Sequence, residues 1–200
     1  MTMTMRERKA TKRLWTDWCE GMPEDRLRGK EYMYEYNHSR PSEKEKRDQL
    51  LQEMFGAFGG GTVEPPVYFC YGSNVFIGKH FYANFNLNLV DDYTITIGDD
   101  VKIAPNVTIA VTNHPLDPEK RREGGMYALP VVIGNNVWIG SGAIICPGVT
   151  IGEGSVIGAG SVVTRDIPPN VIAVGNPCKV VREFNDHDKI YYYKDMKFEE

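Results

Sequence analysis

His114 is the residue best suited to chemistry. It stands at the root of VTNHPLDPEKRREGGMYALP, residues 111–130. A neutral imidazole, with a pKa of about 6.5, can take a proton from a hydroxyl as that hydroxyl attacks a carbonyl. No other residue of the segment offers this as readily at neutral pH, although its position alone equally admits an ordinary surface histidine. A second polar group lies in YANFNLNLVDDY, residues 82–93. Asn84, Asn86, Asp91 and Asp92 can hydrogen-bond a polyol and Tyr82 offers a face for a sugar ring, yet such residues also build turns. A third group runs from Ser141 to Gly160, followed by Thr164, Arg165, Lys179 and Arg182. Small side chains on successive turns leave a groove for a slender chain, and the cations can pair with phosphates. Core packing beside a solvated basic face accounts for the same residues.

The elements that must hold these groups follow from a six-residue lattice. Ile133-Gly134, Ile139-Gly140, Ile151-Gly152 and Ile157-Gly158 share it with Ile145 and Val163, and a small or β-branched residue stands four positions after each: Val137, Ala143, Val149, Ser155 and Ser161. Ile97, Ile103 and Ile109 obey the same rule with Val101 and Val107; Ile77, Ala83 and Leu89 precede them, with a slip of two residues at Asp91-Asp92. One inward aliphatic, one inward small residue and a turn former in each hexapeptide fit one side of a three-sided prism. Stacked coils of about 18 residues then lie about 4.8 Å apart, with backbone bonds running between coils. The repeat spans roughly Val67 to Val174 and is broken once, by residues 111–130. A repeat protein that leaves its lattice does so most often for binding. No helical period separates the strands between Val131 and Val163, which excludes an ordinary βαβ arrangement. The residues do not set the winding hand, and general crossover statistics favour a right-handed one.

The flanks lack the lattice. Residues 1–57 read as helical, with Leu14, Trp15 and Trp18 on one face of a first helix. A second helix in SEKEKRDQLLQEMF carries a capping box at Ser42 and Glu45 and buries Leu50, Leu51, Met54 and Phe55. Gly56–Gly61 reads as a flexible stop. The helical segment is expected to cap the open end of the prism. The expected division is 1–57 as cap, 58–185 as prism with its loop at 111–130, and 186–200 as a tail carrying Tyr191, Tyr192 and Tyr193.

The 200 residues are 42% hydrophobic and 25% charged with a formal net charge of -4, a balance without the basic footprint that nucleic-acid binding requires. The opening MTMTMRERKATKRLW puts charges where a signal peptide carries its apolar run, and no apolar stretch of about 18 residues follows. The sequence points to a cytoplasmic protein without a membrane segment. Cys19, Cys70, Cys146 and Cys178 are widely spaced and read as free thiols.

RLRGKEYMYEYNHSRPSEKEKR, VEPPVYFCYGSN, FYANFNLNLVDDYTITIGD, APNVTIAVTNHP, IGNNVWIGSGAIICPGVTIG and VIGAGSVVTRDIPPNVIAVGNPCKV together resemble the maltose and galactoside O-acetyltransferases of the hexapeptide acyltransferases over nearly the whole chain. VEPPVYF, VDDY and DHDKIYYYKD are most similar to the galactoside (thiogalactoside) members. The resemblance implies a left-handed parallel β-helix and a homotrimer with active sites between subunits. It also implies transfer of acetyl from acetyl-CoA to a sugar, at the 6-hydroxyl, without a metal. On the same basis His114 is the base, the Ser141 backbone N–H serves the oxyanion, and Asp17, Arg26, Tyr82, Asn84, Asp92 and Met126 contact the acceptor. Ser141, Ala159, Thr164, Arg165, Lys179 and Arg182 contact the coenzyme.

Two positions depart from the family pattern. Cys70 replaces a serine near the acceptor and Lys179 an arginine at the coenzyme, losing a good hydrogen-bond donor and a bidentate phosphate grip respectively. Two other readings use the same prism. A γ-type carbonic anhydrase needs three histidines around a metal, and only His80 and His114 lie in the repeat region; a non-catalytic scaffold predicts no dependence on His114. The sequence identifies the donor better than the acceptor, for which maltose or glucose is the alternative.

Overall fold

The computed structural model of the chain describes residues 3–18 and 20–199; Cys19 lies outside them. Its body is a parallel β-helix. Ala57–Phe58, Val75–Ile77, Ile95–Ile97, Val131–Ile133 and Thr150–Ile151 stack in that order on a first face. Gly61–Val63, Phe81–Ala83, Lys102–Ile103, Trp138–Ile139, Val156–Ile157 and Val171–Val174 make the second, which Lys179–Glu183 extends antiparallel. Val67–Phe69, Leu87–Val90, Thr108–Ala110, Ile144–Ile145 and Val162–Val163 make the third. The chain visits the faces in turn, giving five full coils and part of a sixth.

The six-residue lattice is the core ladder. Ile133 faces Ile151, Ile139 faces Ile157 and Ile145 faces Val163, and all six are buried, as are the small positions Val137, Ala143, Val149, Ser155 and Ser161. The prism nevertheless starts earlier than Val67. Gly56–Gly61 is no flexible stop, because Ala57–Phe58 and Gly61–Val63 pair in parallel with Val75–Ile77 and Phe81–Ala83 as the first coil.

The N-terminal helices differ in part from expectation. Helix α1, Met5–Ala10, opens on a capping box between Thr4 and Glu7 and ends before Leu14. Trp15 leaves it for an antiparallel bridge to Met126, with backbone bonds of 2.9 and 2.8 Å, and Trp18 is 75% exposed. Helix α2, Met22–Asn37, lies between the two helices that the sequence pattern singles out; it has a proline in its first turn and buries only Met22, Gly29 and Tyr36. Helix α3, Lys44–Met54, buries Leu50, Leu51 and Met54 as expected, with Phe55 also buried. Its start is not the Ser42 box: Glu43 is the N-cap, without a side-chain cap bond. The Glu43 carboxylate instead turns back to accept the Arg40 N–H at 2.7 Å.

Helices α2 and α3 pack beside the first coil. The Asn37 side-chain amide donates to Val67 O at 2.8 Å and its oxygen accepts Val67 N–H at 2.9 Å, so the side chain acts as a strand neighbour for that edge. No helix among the described residues is long and apolar enough to cross a membrane.

Candidate active site

The functional side chains are sorted by prism edge. On the edge joining the third face to the first, three successive corners are enlarged. Cys70–Asn74 and the Asp91–Asp92 corner add two residues each to a hexapeptide, and residues 111–130 leave the coil above them. The second corner braces the first: Asp91 Oδ1 accepts Cys70 N–H at 2.8 Å and Tyr71 N–H at 2.9 Å, and Asn74 Nδ2 donates to Asp91 O at 2.6 Å. Asp91 is thus a structural clamp rather than a polyol ligand. Its Oδ2 is buried without a partner, and burial raises its pKa.

Asp92, 4% exposed, accepts the Thr112 hydroxyl at 2.7 Å. This bond ties the corner to the stem of the loop, where Thr112–Asn113 pairs antiparallel with Tyr127–Ala128. The loop tip is helix α4, Pro118–Arg122, capped by Asp117. His114 follows the stem directly, and its Nδ1 lies 3.0 Å from the carbonyl oxygen of Gly125. A carbonyl only accepts, so Nδ1 carries the proton and Nε2 keeps its lone pair.

Helix α2 seats the N-terminal contribution. An ideal Cβ on Gly29 would fall 2.4 Å from Tyr71 O, so only glycine allows the helix to lie this close to the corner. Arg26 then pairs with the buried Asp17, donates to Tyr71 Oη at 3.1 Å and covers the Tyr71 ring at 5.3 Å. Burial first, then the Asp92 and Asp91 charges, pushes the Cys70 thiol up to about 12, so it is protonated at neutral pH. Asp17, Arg26, Cys70, Asp92, Met126 and His114 therefore belong to one connected cluster.

The remaining predicted residues lie elsewhere. Asn84, Ser141 and Ala159 occupy the edge joining the second face to the third, and Tyr82 projects outward from the second-face strand that leads to it. Asn84 Oδ1 accepts Phe85 N–H at 2.8 Å, and Asn86 is a left-handed turn residue bonded to Asn106. Gly160 N–H donates to Ser141 O at 2.8 Å, while Ser141 N–H has no protein acceptor among the described residues. Added Cβ atoms on Gly142 and Gly160 would meet nothing within 4 Å, which leaves this edge open to a slender ligand.

Thr164 and Arg165 are exposed at the upper end of the His114 edge. Lys179 and Arg182 lie on the last strand of the second face, where Arg182 makes a bidentate pair with Asp188 at 2.6 and 2.7 Å. That pair holds Asp188 down to about 2. Most of the predicted residues thus lie on two different edges of one chain, separated by the third face, while Tyr82, Lys179 and Arg182 stand on the second face. The sequence does not single out Tyr71, Thr112 or Gly125 in the His114 cluster; VTNHP and FCYGSN signal Thr112 and Tyr71 only as neighbours of His114 and Cys70.

Known proteins share both the prism and its helical flank. The bacterial transferase hexapeptide (six repeats) family matches residues 130–165, and the maltose acetyltransferase hexapeptide capping motif matches residues 17–59. The galactoside O-acetyltransferase of Escherichia coli (strain K12) is 64% identical over 200 residues, 100% of this chain and 98% of its own. Nodulation protein L of Rhizobium meliloti (strain 1021) is 42% identical over 181 residues, 90% of this chain and 99% of its own. A galactoside acetyltransferase structure in complex with coenzyme A, 64% identical, matches with a TM-score of 0.97 over 100% of both chains. A maltose O-acetyltransferase from Clostridium difficile 630, 43% identical, matches at 0.89 over 92% of this chain and 99% of its own.

The hexapeptide coils, the capping motif and the 64% identity over the whole chain together make it a hexapeptide-repeat acyltransferase. Within that class the chain belongs to the maltose and galactoside O-acetyltransferase family, and it is an acetyltransferase.

Proposed function

We propose that the chain transfers acetyl from acetyl-CoA to a hydroxyl of galactosides or thiogalactosides, the 6-hydroxyl in particular, with His114 as general base. The observation that carries this reading is the His114 Nδ1 to Gly125 O contact of 3.0 Å, which leaves Nε2 as the basic nitrogen on a loop whose stem Thr112 ties to Asp92. Nε2 takes the hydroxyl proton as the oxygen bonds to the thioester carbon. The carbonyl oxygen becomes an oxyanion, for which Ser141 N–H is the donor. When the carbon–sulfur bond breaks, the coenzyme thiolate takes the proton back from His114. Asp17, Arg26, Cys70, Tyr82, Asn84, Asp92 and Met126 bind the acceptor. Ser141, Ala159, Thr164, Arg165, Lys179 and Arg182 bind the coenzyme, and no metal takes part.

The base and the oxyanion donor lie on different edges of one chain, which supports a homotrimer whose sites form between the His114 edge of one subunit and the Ser141 edge of the next. Residues 1–57 then act both as cap and as the source of Asp17 and Arg26, residues 58–185 as the catalytic prism, and residues 186–200 as a separate tail. We place the enzyme in the cytoplasm. The galactoside relatives at 64% identity support the acceptor class over maltose or glucose.

Thiol release from acetyl-CoA by the purified chain tests the reading, with isopropyl thiogalactoside, other galactosides, maltose, glucose and serine side by side. Selective release with galactosides is expected. Preference for maltose or glucose would overturn the acceptor, and no release with any acceptor would favour a binding scaffold.

A further inference from the structure

We propose that Lys9 is a further acceptor-binding residue, its ammonium donating to one ring hydroxyl of the sugar. The inference rests on the acetyltransferase reading of the His114 edge. Lys9 Nζ lies 5.1 Å from the Trp15 ring centroid and 4.8 Å from that of Tyr71, between the N-terminal arm that carries Asp17 and the corner that carries Cys70. Among the described residues it donates no side-chain hydrogen bond and has no carboxylate within 4.0 Å. Two ring faces cannot take three N–H donors, so at least one donor is uncommitted.

The charged groups around Lys9 bond to other partners, Arg6 to Asp25 among them, apart from Asp91 Oδ2. Arg26 is paired with Asp17, Asp92 with the Thr112 hydroxyl, and Asp91 Oδ1 with two backbone amides. The only buried side-chain polar atoms without a partner among the described residues are Trp15 Nε1 and Asp91 Oδ2, and both belong to residues in the surroundings of Lys9. Burial lowers the Lys9 pKa, and of the neighbouring charges Asp92 opposes this most. An ammonium kept partly desolvated without an ion-pair partner is a strong donor for an uncharged oxygen. A neutral polyol matches this better than an anion, because Asp91 and Asp92 repel a second negative charge.

The test couples Lys9 to one hydroxyl of the acceptor. kcat/KM is measured for a thiogalactoside and its 2-, 3- and 4-deoxy analogues with the wild type, Lys9→Met and Lys9→Arg. In the wild type, one deoxy analogue is expected to lose roughly tenfold or more in kcat/KM. In Lys9→Met that penalty should vanish while the other two persist and KM for acetyl-CoA is unchanged, and Lys9→Arg should restore it. Unaltered deoxy penalties in Lys9→Met would overturn the proposal while leaving the acetyltransferase reading intact. No turnover of any galactoside by the wild type would instead overturn that reading. Were Lys9→Met unfolded by circular dichroism, Lys9→Gln in the same series would decide the matter.

Discussion

His114 Nδ1 and the Gly125 carbonyl, eleven positions apart on the same loop, are joined at 3.0 Å. The bond fixes the tautomer, and with it the ring nitrogen that is basic, Nε2. His114→Ala should therefore lower kcat by about a hundredfold or more, in keeping with loss of a general base. Isothermal titration with coenzyme A should show unchanged affinity. A kcat within a few-fold of wild type would remove His114 from the chemistry.

Gly125 has a second role, as spacer. A Cβ added there would lie 2.8 Å from Lys120 O and 3.2 Å from Leu14 Cδ2, so Gly125→Ala must push the loop off the arm and rotate its carbonyl away from His114. Displacement of a catalytic group by about 1 Å costs up to a hundredfold in rate. The expected result is a clear fall in kcat with the far-ultraviolet circular dichroism spectrum unchanged, because residues 112–128 take no part in the strand pairing of the three prism faces.

Much of the prism was legible because each hexapeptide puts one aliphatic and one small residue inward, and nothing else in the chain competes with that period. Even the slip at Asp91-Asp92 stood out. Its use did not: a lattice records that two residues are extra, and only the fold shows the three enlarged corners stacked on one edge. Counting by coils separates Asn84, Ser141 and Ala159 from Asp92 and His114, whereas a linear reading runs Asn84 and Asp92 together as one polar group. Helix α2 was hidden because only Met22, Gly29 and Tyr36 of its residues are buried, too few to impose an amphipathic period. Lys9 carried no signal, since its partners Trp15 and Tyr71 lie outside any repeat.

Thr112 and Asp92 give a test of the corner itself. Thr112→Val keeps shape but removes the side-chain donor that a nearly buried carboxylate oxygen has among the described residues. The loss should destabilise the fold by about 1–3 kcal/mol, the cost of an unsatisfied buried polar group, read as a fall in the denaturant midpoint at constant slope. Turnover should drop as well, because the bond ties the acceptor corner to the loop stem.

Cys70 supplies a pH dependence of defined sign. Its thiol is raised to about 12 in the fold, chiefly by burial, from an ordinary value of about 9. The folded chain therefore holds the proton where the unfolded chain releases it. The stability linked to this group is fully present below about pH 9 and is lost as pH rises toward 12. Because the thiolate is the reactive form, iodoacetamide at pH 8 should leave Cys70 largely unmodified in the native protein and label it readily in guanidinium, as read by peptide mass spectrometry. Rapid native labelling at pH 8 would mean that the corner is open and the thiol ionised. In Cys70→Ser the alkaline loss of stability should shrink, while the smaller hydroxyl, a better donor, should keep or improve kcat/KM for the galactoside.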